Sequence, residues 1–156
     1  MTTLSIEHVD VITPHTYERA TALFTSLVPF ADQAEIAKLT SGAEVTAMMQ
    51  RRAGELGILI MAALEQGPII SLLGQPRHLA VYLIGSPLLG ARLFAEHRAA
   101  GLYAPAHVTL YEHADGHAHF AYDRPSTLLA QFGAAAQDLG KLFDAKLATL
   151  ADHLTR

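Results

Sequence analysis

The chain contains no cysteine and no tryptophan. Without cysteine there are no disulfides, no thiolate metal ligands and no cysteine nucleophile. Charge is scarce too, at 17% of residues, and the net charge of −4 opposes nonspecific nucleic-acid binding. Lysines and arginines are scattered, and no basic patch alternates with aromatics. A membrane-spanning helix needs about 18 consecutive apolar residues. The apolar stretch 54–73 is interrupted by Glu55, Glu65, Gln66, Gly67 and Pro68, so no span is expected. Met1 to Asp10 lacks a basic region followed by an apolar core, so no signal peptide is expected and the chain is read as cytoplasmic. No G-x-G-x-x-G, P-loop, H-E-x-x-H or paired-cysteine pattern occurs, and none of Ser71, Ser86 or Ser126 lies in a G-x-S-x-G elbow. These absences disfavour nucleotide-dependent enzymes and the common hydrolases.

What is present is apolar surface and histidine. Hydrophobic residues make up 51% of the chain, which is high for this length and suggests surface buried against a second copy. Nine histidines occur, several between His107 and His119. At 156 residues the chain is read as one domain, 1–156, able to bury roughly 70% of its unfolded surface.

Leu4 to Ile12 reads as a strand, with a bulge near Glu7 and His8 to reconcile its period. Thr13 then caps a helix with Pro14 at its first position and Tyr17, Ala20, Leu23, Phe24 and Leu27 on one stripe. A short helix follows over 32–40. Ser41 and Glu44 form a capping-box pattern for the next helix, through about Leu56, with Val45, Met48, Met49 and Arg52 inward. The unbroken apolar run 57–64 reads as a buried strand. A helical turn over 69–73 ends at Gly74. A strand over 77–84 leads through Gly85-Ser86-Pro87 into a helix over 88–99. Strands 107–112 and 117–122 form a hairpin on Asp115-Gly116, read as a two-residue type I′ turn. Pro125 to Phe132 is a short helix, for whose cap Asp123 and Ser126 compete. The longest helix is 134–154, with Leu139, Leu142, Phe143, Leu147, Leu150 and Leu154 inward and Asp138, Lys141, Asp144 and Lys146 mostly outward. Strands and helices do not alternate one for one. The predicted class is therefore α+β: an antiparallel or mixed sheet of about five strands packed on helices, with a long C-terminal helix.

The motifs Y-L-I-G-S-P-L-L-G-A-R from Tyr82, His97-x-x-x-Gly101-L-Y-A-P, L-Y-E-H-A-D-G from Leu110 and Y-D-R-P-S-T-L-L-A-Q-F-G from Tyr122 occur in this order. Together they resemble the family called domain of unknown function 302. The similarity is strong over 82–133 and weak over 58–74 and the first strand and helix. The resemblance implies a small α+β fold, an antiparallel sheet packed on helices and frequent homodimers, with no established reaction. Longer relatives carry Asp-His-Gly after the buried strand, where this chain has Glu65-Gln66-Gly67.

Two groups of residues carry candidate chemistry. In the hairpin, a two-residue turn pairs Glu112 with His119 and Ala114 with His117. Glu112, His117 and His119 then project to one side as a ligand set for a divalent metal, or as a solvated hairpin tip. Tyr111, Phe120 and Tyr122 fall on the opposite, core face. In the helix over 88–99, His97 shares a face with Leu93 beside the stripe of Leu89, Leu93 and Phe94. His97 can serve as a haem axial ligand, as a general base, or as a ring bonded to a backbone carbonyl. Tyr103 can donate a hydrogen bond into the same cavity or pack with its hydroxyl at the surface.

The leading functional expectation is a homodimer that binds a small apolar ligand or planar cofactor in a pocket of Leu89, Leu93, Phe94 and Tyr103, anchored by His97. The alternative is a haem- or metal-dependent enzyme, using His97 for haem iron or Glu112, His117 and His119 for a metal. A partner-binding subunit without a ligand is the third. No nucleic-acid or membrane partner is expected.

Overall fold

The computed structural model describes residues 3–74 and 77–156. The described elements are β1 (His8–Ile12), α1 (Tyr17–Leu27), α2 (Gln33–Ile36), α3 (Gly42–Arg52), β2 (Leu59–Glu65), α4 (Gly67–Ser71), β3 (Leu79–Gly85), α5 (Pro87–Glu96), a 3-10 turn (Arg98–Leu102), β4 (Ala106–Glu112), β5 (Ala118–Asp123), α6 (Pro125–Leu129), a second 3-10 turn (Ala130–Phe132) and α7 (Ala134–Leu154). The five strands form one antiparallel sheet in the order β1-β5-β4-β3-β2. This is the α+β class expected from the sequence, including the long C-terminal helix.

Several local signals act as read. Ser86 caps α5 by accepting from Leu89 N, with Pro87 in the first turn, where its missing N–H costs nothing. Ser41 accepts from Glu44 N, and the Glu44 carboxylate reaches back chiefly to Thr40, accepting from its N–H at 2.6 Å and its hydroxyl at 3.0 Å, with a lesser contribution from the Ser41 backbone. Others act differently. β1 starts at His8, not Leu4. Thr13 does not cap α1: its N–H extends the sheet to Ala118 O at 2.9 Å, its side chain accepts from His15 N, and Thr16 caps the helix.

β2 is not a fully buried strand. It lies at the sheet edge, and only its first two residues, Leu59 and Ile60, are fully buried. The segment 29–31 covers the outer side of Ile60, through Ile60 N to Pro29 O and Ala31 N to Ile60 O, both 2.8 Å. Beyond the register shift between Ile60 and Ala62 the strand is exposed, and Leu64 reaches 55% exposure.

One face of the sheet packs on α1 and α7. Phe24 from α1 and Leu147, Leu150 and Leu154 from α7 meet Tyr82, Val108, Leu110 and Phe120 from the strands. Each fully buried large side chain contributes about 1.5–3 kcal/mol relative to exposure. On the other face Leu79, Val81 and Leu83 are half-buried and belong to none of the core clusters. α3 covers only its lower corner, where Met48 and Met49 pack on Leu59 and Met61.

α6 sits against α7 at unusually close range. A Cβ on Gly140 would lie 2.5 Å from Ser126 Cα, so only glycine fits. Neither Asp123 nor Ser126 caps α6. Arg124 holds the N-cap position without a side-chain bond, and Ser126 lies inside the helix. Asp144 of α7 accepts from both the N–H and the hydroxyl of Ser126. Asp144 is therefore turned inward, contrary to its expected outward position. Lys146 is half-buried as well and donates to Leu56 O at 2.5 Å.

Candidate functional site

A cavity of about 370 Å³ opens where β3 hands over to α5. Leu89, Leu93 and Phe94 of α5 form one wall, and Tyr103, Ala104, Pro105 and Ala106 another. Ile36, Met61, Ile84, Leu129, Leu139 and Phe143 close the rest. Glycine shapes it twice. A Cβ on Gly85 would lie 3.4 Å from Pro105 Cβ, and one on Gly90 would lie 3.3 Å from the Phe94 ring. Among the described residues, only two lining side chains carry an oxygen, Ser86 and Tyr103, and none is charged. The Ser86 hydroxyl accepts from Leu89 N as a helix cap and keeps its own proton to donate, so Ser86 and Tyr103 are the two hydroxyls available to an occupant.

The structure thus brings together Leu89, Leu93, Phe94 and Tyr103, but His97 does not line this cavity. α5 ends at Glu96, and His97 is its C-cap with φ −132° and ψ 78°, so the residue leaves the face it would share with Leu93 in a longer helix. His97 borders an adjoining groove with Arg92, Ala95, Glu96 and Ala135, which shares Leu93 and Leu139 with the cavity. The ring lies 5.6 Å from Phe132, with Nε2 4.0 Å from the Glu96 carboxylate. The cavity walls from α2, β2, α6 and α7 were not foreseen, since each contributes one or two residues from a distant segment.

The hairpin differs from its expected form by one residue. His113 N bonds His117 O and Gly116 N bonds His113 O, both at 3.0 Å, so the loop is 114–116. A type I′ turn needs positive φ at both central residues. Here only Gly116 has it, at 84°, and no non-glycine residue among those described does. Asp115 instead accepts from His117 N at 2.9 Å. That bond, helped by the surrounding imidazoles, holds the Asp115 carboxyl below its ordinary range.

This register pairs Glu112 with Ala118 and Tyr111 with His119. A one-residue slip moves side chains to the opposite face. Glu112 therefore lies on the face of Leu110 and Phe120, away from His119, and the set Glu112, His117 and His119 does not converge. Phe120 and Tyr122 are core as expected, whereas Tyr111 joins His119 on the other face.

His119 is buried there, with its side chain 9% exposed. Its Nδ1 lies 3.1 Å from Asp10 Oδ1 and 3.1 Å from the Tyr111 hydroxyl, which itself donates to Asp10 Oδ2 at 2.5 Å. Burial first, then the hydrogen bond to Asp10 and its charge, push the Tyr111 hydroxyl up to about 12. The His113 ring stacks on His119 at 4.8 Å between centroids. His119 Nε2 is buried and without a partner. Asp10 lies 109 residues from His119 in sequence and carries no local signal of this role.

A one-sided antiparallel sheet backed by two helices, with an apolar cavity at one end, defines a small α+β domain. The chain belongs to the family described as Domain of unknown function DUF302, whose sequence model matches residues 35–154. A similar solved structure is the crystal structure of an uncharacterized conserved DUF302 protein from Bacillus stearothermophilus. It shares 13% identity at a TM-score of 0.67, covering 94% of this chain and 97% of that one. At that identity the likeness is one of fold. No curated protein matches the chain.

Proposed function

We propose that this protein binds a small apolar or planar organic molecule in the cavity beside Tyr103, and that it does so as a homodimer. One observation carries the reading: a cavity of about 370 Å³ whose wall bears no charged side chain. Ligand sites of roughly 300–1,000 Å³ lined by apolar groups with few polar ones are the common form. Burial of apolar ligand surface, at about 25 cal/mol per Å², supplies the affinity, and the Tyr103 hydroxyl orients one polar end. With no acid–base pair in the wall, binding accounts for the site better than catalysis. A haem held by His97 would instead occupy the adjoining groove beside Glu96.

The test is titration with an anionic naphthalene fluorophore, followed by displacement with medium-chain fatty acids. Saturable binding at one site per chain is expected. Leu89→Trp, which fills the cavity, should weaken it at least tenfold while thermal unfolding is retained. Equal affinity in Leu89→Trp would overturn the reading. A Soret band after expression with haem precursor, lost in His97→Ala, would establish the haem alternative.

A further inference from the structure

A second group of chemistry-bearing side chains lies at the opposite end of the sheet. β4 runs from Ala106 at the cavity to Glu112 at the hairpin, about 20 Å at the rise of an antiparallel strand. Just beyond it, His113, Asp115 and His119 each place one ligand atom within 4.8 Å of the others. We propose that these three residues bind a divalent transition metal of the zinc class, with Asp10 orienting His119 from behind.

The buried histidine carries the proposal. The Tyr111 proton goes to Asp10 Oδ2, so the two oxygens facing His119 Nδ1 are both acceptors. Nδ1 therefore carries the hydrogen and Nε2 presents its lone pair, buried and without a partner. A buried nitrogen acceptor left unmatched is unfavourable, and a metal ion satisfies it. A carboxylate behind the other ring nitrogen is the usual support for a ligating histidine, since it sets the tautomer and raises ligand basicity.

The donor set suits the ion. Two imidazoles and a carboxylate are borderline ligands that favour zinc and also accept iron or manganese. Tetrahedral zinc holds its nitrogen and oxygen donors about 3.3 Å apart, so His113 Nδ1 and Asp115 Oδ2, at 3.6 Å, are already close to that spacing and the widest separation must close by at most roughly 1.5 Å. His113 and Asp115 can supply that movement, because both are exposed and flank or occupy the three-residue turn, while His119 is held by the sheet. Three protein ligands leave a fourth position for water or another small ligand.

Cobalt(II) and zinc titrations of chelator-stripped protein without an affinity tag test the site. One cobalt per chain, with a tetrahedral visible spectrum and displacement by zinc, is expected. His113→Ala and Asp115→Asn alter exposed residues, and asparagine keeps an oxygen for His117 N. Each should weaken zinc binding at least tenfold with unchanged unfolding of the metal-free protein. Asp10→Asn should cost roughly 10–100-fold in affinity as a positioning residue. His97→Ala should change nothing. Failure of saturable cobalt binding overturns the proposal. So does binding that survives His113→Ala, or binding that falls equally in His97→Ala and so reports scattered surface imidazoles. Fluorophore binding in the distant cavity is read separately and fails or succeeds independently.

Discussion

Tyr17, Tyr82, Tyr111 and Tyr122 each hold their proton more tightly than a free phenol, and burial is the first cause in all four. Tyr17 and Tyr111 are pushed up to about 12 from an ordinary value of 10.0. Because the folded values lie above the unfolded one, the native state binds these protons more strongly. The associated stability is complete below pH 10 and is lost as pH rises through 12. A spectrophotometric phenolate titration of native protein should therefore lag the curve of urea-unfolded protein, and alkaline unfolding should fall in that window. Native and unfolded curves that coincide would show these hydroxyls to be solvated.

At the scale of elements, the contact of α6 with α7 turns on Gly140. Alanine is the better helix former by about 1 kcal/mol, but its methyl would sit 2.5 Å from the backbone of Ser126. Gly140→Ala should thus destabilise by about 1–3 kcal/mol in urea denaturation, the usual range for overpacking. A neutral or stabilising result would mean that the two helices part easily. The helices themselves were legible in the sequence, because Ser41, Ser86 and the leucine stripe of α7 act through neighbours three or four residues away. The edge position of β2 was not, since an apolar run reads alike whether or not a strand lies on its far side. The hairpin shows how little separates a right element from a wrong site. Both strands were legible, yet one residue of loop length carried Glu112 to the face opposite His119. Leu89, Leu93, Phe94 and Tyr103 were legible as neighbours around one cavity because they lie on a single helix and the turn after it. Asp10, Asp144 and the far cavity walls were not, since their partners are distant in sequence.

For the molecule as a whole, the proposed homodimer is tested at the uncovered sheet face. Leu79, Val81 and Leu83 stand half-exposed in one row, with exposed Leu64 on the neighbouring strand. A second copy covering about 800 Å² of this face would match a standard interface. Light scattering should accordingly give twice the chain mass of 16.8 kDa, and Val81→Glu should reduce it to the monomer without unfolding it. A wild-type monomer at high concentration would remove the homodimer from the reading. The position of β1 has a consequence in time. It is bonded to one strand only, β5, and its residues alternate between exposed and half-buried, which places it among the segments that open at least cost. Docking it closes a loop of more than 100 residues, since Asp10 and His119 are 109 apart. Amide hydrogen exchange in β1 should therefore clock how often Asp10 lets go of His119, so that the opening of an edge strand governs the surroundings of a ring held in the sheet.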